Sequence, residues 1–474
     1  MRLVPSVLAL LAAVALPAAA QGPVTADPAA RTSLALTVYQ ADFALVEDVR
    51  GVALANGGTV VHLPGVSEAM IAASAQVLPS GAGAGFTVRT LGLGGAVAGT
   101  ESLLRAHEGQ EITVLRILDN GQEVRQRARI LRASPEVIAE IDGAIHVGLP
   151  GRPVFDTLPQ GLPLNPGLTA TLDGTRAGTA PVALRYLTRG MSWTADHVLT
   201  LAPGRAAADL TTWATLRNGT RQSWQSAKLA VVAGEVNLPD GRHEPMPTMM
   251  ARAAPAPMME KAADGGMARE ATDGVHVYRL AAPIDLAAEE TRQVRLLGAS
   301  ALPIETVYED EGPQYVYYDR HAGERRTHPA TKLVLRNAAN GPLGAPLPAG
   351  PIRVYAADAG GQARFVGGAH LPPVPVGEEA RVEIGRAFDL TVERTQTSFK
   401  RLSETVVETA HKIIVRNGGA QATTVRIIEP MPGDWEIIAS SQPHEKRDSA
   451  RALWPVKVAA GGTTELTFTV RTTF

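Results

Sequence analysis

The sequence predicts an all-β protein: several β-sandwich (Ig-like) domains in series, with a small inserted β-barrel-like module. Three observations predict it. Apolar and polar residues alternate along most of the chain, the period-two pattern of strands with one buried face. Turn dipeptides built on Gly, Asn and Asp separate these runs at short intervals. A helical pattern appears in one place, Glu101 to Ala106, and there it is short.

The opening "MRLVPSVLALLAAVALPAAAQ" has one basic residue, Arg2, then an apolar run from Val4 to Leu16. Pro17 and Ala18-Ala19-Ala20 follow, the small residues of a cleavage site. Residues 1–20 therefore read as a secretory signal peptide. A membrane anchor is the alternative, but the run is shorter than the ~20 apolar residues a span needs. With no later apolar run of that length, no transmembrane segment is expected after signal cleavage. The mature chain is expected to be exported, periplasmic or secreted.

Residues 21–100 form an N-terminal β domain. "SLALTVYQADFALVEDVRGVALANGGTVVHLPGV" alternates from Ser33 to Val66 and is broken at Asn56-Gly57-Gly58, which reads as strand, turn, strand. Residues 101–180 are the inserted hairpin-rich module. Asp119-Asn120-Gly121 and Asp142-Gly143 mark its tight turns, where a positive φ is required and Asn, Asp and Gly supply it. Residues 181–242 carry longer strands, such as "VALRYLTRGMSWTADHVLTL". Residues 243–274 are rich in Met, Pro, Ala and Gly without a period, the composition of a linker or long loop. Strands resume over 275–386, and residues 387–474 read as a C-terminal sandwich.

One motif recurs. "TTWATLRNG", "TKLVLRNAA" and "HKIIVRNGG" each run an apolar strand into Arg-Asn, at Arg217-Asn218, Arg336-Asn337 and Arg416-Asn417. The chain has eight Asn and three follow Arg, more than chance gives when Arg is one residue in twelve. Two and four residues before each Asn the side chain is apolar: Leu216, Leu335 and Val415, then Ala214, Leu333 and Ile413. These share one strand face and each Arg lies on the other. The motif predicts a strand end: apolar inner face, Arg outside, Asn bonding the backbone of the turn. The alternative is a ligand site built from the three Arg. Spacings of 119 and 80 residues exclude a short-period solenoid.

Composition excludes several function classes. The chain has no Cys, which removes disulfides, thiolate metal sites and a Cys nucleophile. A formal net charge of -2 gives no electrostatic footprint for nucleic acid. The His-Glu pairs at His107, His243 and His444 lack a second His at metalloprotease spacing. No Gly-x-Ser-x-Gly elbow, dinucleotide loop or EF-hand is present. Catalytic, cofactor-binding and metal residues are therefore all expected to be absent, and no enzyme activity is expected.

Four stretches carry the remaining chemistry. Six of the ten Met lie between Met246 and Met267, beside His243, a soft-ligand set that suits Cu(I) or is simply linker. Asp319, His321 and His328 lie close in sequence, as metal ligands or as loop residues. "ETVYEDEGPQYVYYDR" groups Tyr315 and Tyr317 with Glu309 and Asp310, either a partner surface or a hairpin with cross-strand Tyr packing. "YLTRGMSWTADHVL" brings Trp193, Asp196 and His197 together, a ligand platform or a sandwich core. The closing "ELTFTVRTTF" reads as a sandwich strand rather than a membrane-barrel strand, because the chain is 4% aromatic and such barrels need aromatic girdles.

Several blocks, among them "LTVYQADFALVEDVRGVAL", "LTTWATLRNGTRQSWQSAKLAVVAGEVN", "VYRLAAPIDLAAEETRQVRLL" and "VRIIEPMPGDWEI", resemble an exported bacterial family defined by a domain of unknown function, DUF4139. The resemblance runs from about Leu34 to the C-terminus. Relatives labelled mucoidy-inhibitor-type carry a coiled-coil partner domain; this chain has the module at 101–180 instead. The resemblance supplies no catalytic residues. The expected role is a non-enzymatic envelope protein that binds or scaffolds another envelope protein; the alternative is a glycan-binding or glycan-acting protein.

Overall fold

The computed structural model describes residues 23–81, 85–93, 99–118, 121–157, 159, 167–238, 267–272, 274–321, 323–358 and 360–474. The chain is all-β, and among the described residues no sheet closes into a barrel. No helix there is long and apolar enough to cross a membrane. The expected signal peptide lies outside the described residues. So do Asp119, Asn120 and the Met-rich stretch through Met259.

The chain divides into two compact units. The first comprises Met1–Leu36, Leu45–Arg189 and Thr220–Ala227. In it the strands Gly57–Pro64, Gly167–Gly174 and Phe86–Leu93 pair antiparallel in that order. Phe43–Leu54, Gly178–Arg189 and Gln76–Pro79 follow one another in a second sheet. The Asn56-Gly57-Gly58 turn thus joins strands of different sheets, with Gly57 at φ 99, and is not a hairpin. Alternation buries Leu34, Leu36, Val46, Val61, Leu63, Leu172, Val182 and Leu184. Arg50 is fully buried; its guanidinium donates to Ala26 O and Pro64 O, both at 2.7 Å, and pairs with Asp48 at 2.6 Å.

The inserted module is an open sheet rather than the barrel-like closure expected. Its order is Ala144–Val147, Ile138–Ile141, Glu123–Arg132, Glu111–Ile117, Arg152–Val154. The short helix Thr100–Ala106 packs Leu104 onto a core of Ile112, Val114, Ala128, Ile130, Ala139 and Ile141. One helix covering one face removes any need for the sheet to close on itself. Asp142 and Gly143 both have positive φ, 51° and 78°, as the two-residue turn requires. The module ends before residue 167 and not near 180, because Gly167–Gly174 pairs with Phe86–Leu93.

The second unit comprises Thr37–Ala44, Gly190–Gly219 and Lys228–Phe474. Its largest sheet runs Ala363–Leu371, Gly350–Ala357, Met191–Leu201, Ala207–Asn218, Thr291–Glu311, Thr423–Pro430, Arg451–Val458, Glu445–Asp448. Thr291–Glu311 is 21 residues long and belongs to two sandwiches in turn. Residues up to Pro303 pair with Ala207–Asn218; Ile304 to Glu309 pair with Ala330–Arg336, and Tyr308 to Glu311 run parallel to Thr423–Pro430. The handover sits at Ala301, held at φ 54 with its N–H donated to Asp209 Oδ1 at 2.9 Å.

Each sandwich has its own core. Leu199, Leu210, Leu302, Leu333, Leu335, Val354 and Val382 make the first. The second packs Val425, Ile427, Trp454 and Val456 against Val392, Ile413, Val415, Leu466, Phe468 and Val470. Those last residues come from the sheet Glu324–Thr327, Leu390–Arg401, Val406–Asn417, Thr463–Thr473, Asp434–Ser440. The closing strand Thr463–Thr473 is paired on both sides, so the terminal alternation belongs to a sandwich. Met267–Thr272, expected as linker, is a strand paired antiparallel to Val275–Leu280.

Candidate functional site

The three Arg-Asn copies are strand ends of one design. Asn218, Asn337 and Asn417 are buried, and Arg217, Arg336 and Arg416 are exposed. The inner positions Leu216, Leu335, Val415, Ala214, Leu333 and Ile413 are all buried. Each Asn donates its side-chain amide to a loop carbonyl: Asn218 to Ala287 at 2.7 Å, Asn337 to Ala345 at 2.8 Å, Asn417 to Gln421 at 2.8 Å. Asn417 Oδ1 also accepts the Gly419 N–H at 2.9 Å. The Arg residues lie on separate strands, paired where pairs form with local acids: Arg336 with Glu305 and Arg416 with Glu393. They do not meet in one ligand site.

The tyrosine-acid stretch is not a hairpin, and it does not form the expected surface. After the long strand the chain makes a 3₁₀ turn, Gln314–Tyr317, which swings Tyr317 fully into the core. Tyr315 alone of the pair stays exposed, at 52%. Glu309 and Asp310 are buried in ion pairs, because the strand carrying them is central and paired on both sides. Trp193 is buried with its indole N–H on Val232 O at 2.9 Å. Asp196 accepts from Thr215 and from Arg353, the latter at 3.0 Å. His197 sits between Thr212 Oγ1 and Pro348 O, and burial holds its pKa below the usual histidine value. These seven residues, of which only Tyr315 is exposed, do not make a common partner surface. Among the described residues no group of three His, Cys, Asp or Glu is placed to hold a metal ion.

The second sandwich encloses a charged network. Arg394 Nε donates to Glu429 at 2.7 Å, Nη1 pairs with Asp310, and Nη2 reaches Asp310 O at 3.1 Å. Tyr317 Oη donates to the other Glu429 oxygen at 2.7 Å, and Thr327 to Asp310 at 3.0 Å. Burial and the neighbouring Glu429 push the Tyr317 phenol well above its ordinary pKa. His411 stacks near Tyr317 and Phe468; burial and the Arg394 charge pull its pKa down to about 4. A cavity of about 20 Å³ touches Arg394, Gln396, His411 and Glu429, room for one water molecule and no substrate. This network is a satisfied polar core.

The open cavity lies elsewhere in the same unit, between its two sandwiches. It has a volume of about 790 Å³. The connection from Glu379–Arg386 to Leu390–Arg401 lines it, and Phe388 on that connection is 89% exposed. Phe365, 57% exposed and also in the lining, stands edge-on to Tyr355. Arg205, Arg364 and Arg386 line the cleft against one carboxylate, Asp389. Arg386 is oriented by its bond to His328 O at 2.9 Å. A further wall is the loop from Gly419 to Ala422, fixed by Asn417.

Sequence reasoning missed these residues. Phe388 is a lone aromatic in the short connector "GRAFDL", where no strand period calls for one, and that isolation is the signal that was present. Phe365 was hidden because it sits within a strand pattern.

No curated protein matches the chain. A family described as a domain of unknown function, DUF4139, matches residues 182–474, which hold both sandwiches, the buried network and every residue lining the cleft. The chain belongs to the DUF4139 family.

Proposed function

We propose that this chain is a non-enzymatic, exported protein of the bacterial envelope that binds another envelope protein in the cleft between its two C-terminal sandwiches. One observation carries the reading: an almost fully exposed Phe388 faces a cleft with three arginines and one carboxylate. Aromatic residues and Arg dominate the energetics of protein interfaces. The charge excess selects a partner segment that is acidic and carries an apolar side chain.

Two further facts favour binding over catalysis. The ionisable groups in the most unusual surroundings, Tyr317, Glu429 and Arg394, are buried and paired with one another. The glycan platform of Trp193, Tyr315 and Tyr317 is not assembled, since two of the three are core residues. A photoreactive residue at position 388, activated in cells, tests the proposal. It predicts a discrete protein adduct whose crosslinked segment is acidic, lost when Arg364 and Arg386 are replaced by Glu. An adduct spectrum identical to that from exposed Phe474, or one indifferent to those substitutions, contradicts it.

A further inference from the structure

A second cavity, of about 280 Å³, opens on Glu309, Asp310 and the strand Glu324–Thr327. Five cations line it: Arg325, Lys332, Arg386, Arg447 and Arg451. Four carboxylates also face it, but three of these are already paired. Asp310 is held by Arg394, which lies outside the cavity. Glu309 is shared among Lys332 at 2.8 Å, Arg381 at 3.4 Å and Arg426 at 3.8 Å, and the last two do not line the cavity. Burial alone would raise the Glu309 pKa, yet Lys332, Arg447 and Arg381 hold it below the usual carboxylate value.

With Asp310 on Arg394, Glu309 on Lys332 and Glu311 on Arg451, the cavity keeps Arg325, Arg386 and Arg447 against Glu383, an excess of two. Arg451 is engaged with Glu311 at 3.4 Å and Asp448 at 3.3 Å, whereas Arg325 and Arg447 form no ion pair among the described residues. Arg325, Arg386 and Arg447 approach from three different elements. Guanidinium forks carried on separate strands around one cavity suit a tetrahedral dianion, whose oxygens point in several directions, better than one planar carboxylate. The volume exceeds that of phosphate alone and is near the lower end for small-molecule sites.

We propose that this cavity binds a phosphate monoester on a body about the size of one sugar, with Arg325 and Arg447 as the principal anion contacts. The site is separate from the cleft, although Arg386 touches both.

Calorimetric titration of the full chain with glucose 1-phosphate, inorganic phosphate and glucose tests it. Glucose 1-phosphate is expected to bind saturably and inorganic phosphate to compete, with no binding of glucose. The pair Arg325→Gln and Arg447→Gln should weaken binding at least about tenfold. Both side chains are exposed, so the variant should keep its melting temperature. Phe388→Ser should leave phosphate binding unchanged, which separates this site from the cleft. No saturable binding below about 10 mM, equal binding of glucose, or an unaffected Arg325/Arg447 variant would overturn the proposal.

Discussion

Tyr317 and Arg394 meet on opposite oxygens of one buried carboxylate: the phenol of Tyr317 donates to Glu429 Oε2 and the guanidinium of Arg394 to Oε1, each at 2.7 Å. Both donors come from outside the sheet that carries Glu429, so the carboxylate ties the two faces of the sandwich together.

Removing the cation leaves Asp310 and Glu429 buried without their principal partner. Arg394→Met should cost about 3–5 kcal/mol, the range for breaking a buried ion pair from one side. Urea unfolding of the full chain followed by Trp fluorescence measures it. A loss under about 1 kcal/mol would mean the network contributes little.

His411 gives the same sandwich a pH dependence. Its folded pKa of about 4 lies below the ordinary histidine value, so between roughly pH 6.5 and 4 the unfolded chain binds more protons than the folded one. Its stabilising contribution is complete above the ordinary value and is lost as pH falls through that window, by about 3 kcal/mol in all. His411→Gln should flatten the melting temperature over that range relative to the wild type. Parallel curves for the two proteins would contradict the assignment.

Gly312 leaves room for the carboxylate. A Cβ there would overlap the Glu429 carboxylate, Oε2 first. Gly312→Ala should force Glu429 off its two donors and destabilise by about 1–3 kcal/mol. Differential scanning calorimetry reads the shift.

Asn417→Leu removes the amide bonds to Gln421 O and Ala459 O and the acceptor for Gly419. It should cost about 1–3 kcal/mol and loosen the loop that walls the cleft. An unchanged melting temperature would undo the strand-end account of the motif.

The architecture was legible because its cause is local. Period-two alternation fixes which side chains go inward, and it placed Leu216, Leu335 and Val415 correctly. The Asn at each strand end was legible for the same reason, since its role is to bond nearby loop backbone. The surface was not. Tyr317 and Trp193 each admitted a packed and an exposed reading, with the sandwich core the first reading for Trp193, because an aromatic in a β pattern suits either side. Their fate depended on a 3₁₀ turn and on sheet neighbours far away in sequence. The cleft is assembled from Arg205, Phe365, Arg386, Phe388 and the 419–422 loop, spread over more than two hundred residues, and only the folded chain brings them together. The barrel-like expectation failed because hairpin signals report turns and not whether a sheet closes.

The cleft between the two C-terminal sandwiches is proposed to bind an acidic, apolar-tipped protein segment. Equilibrium titration of the crosslinked segment, made as a labelled peptide, against the full chain tests it most directly. The account predicts saturable binding that weakens with salt and falls about thirtyfold in Phe388→Ser, the loss typical of an interface anchor. Salt-independent affinity, or an equal affinity for wild type and Phe388→Ser, would contradict it.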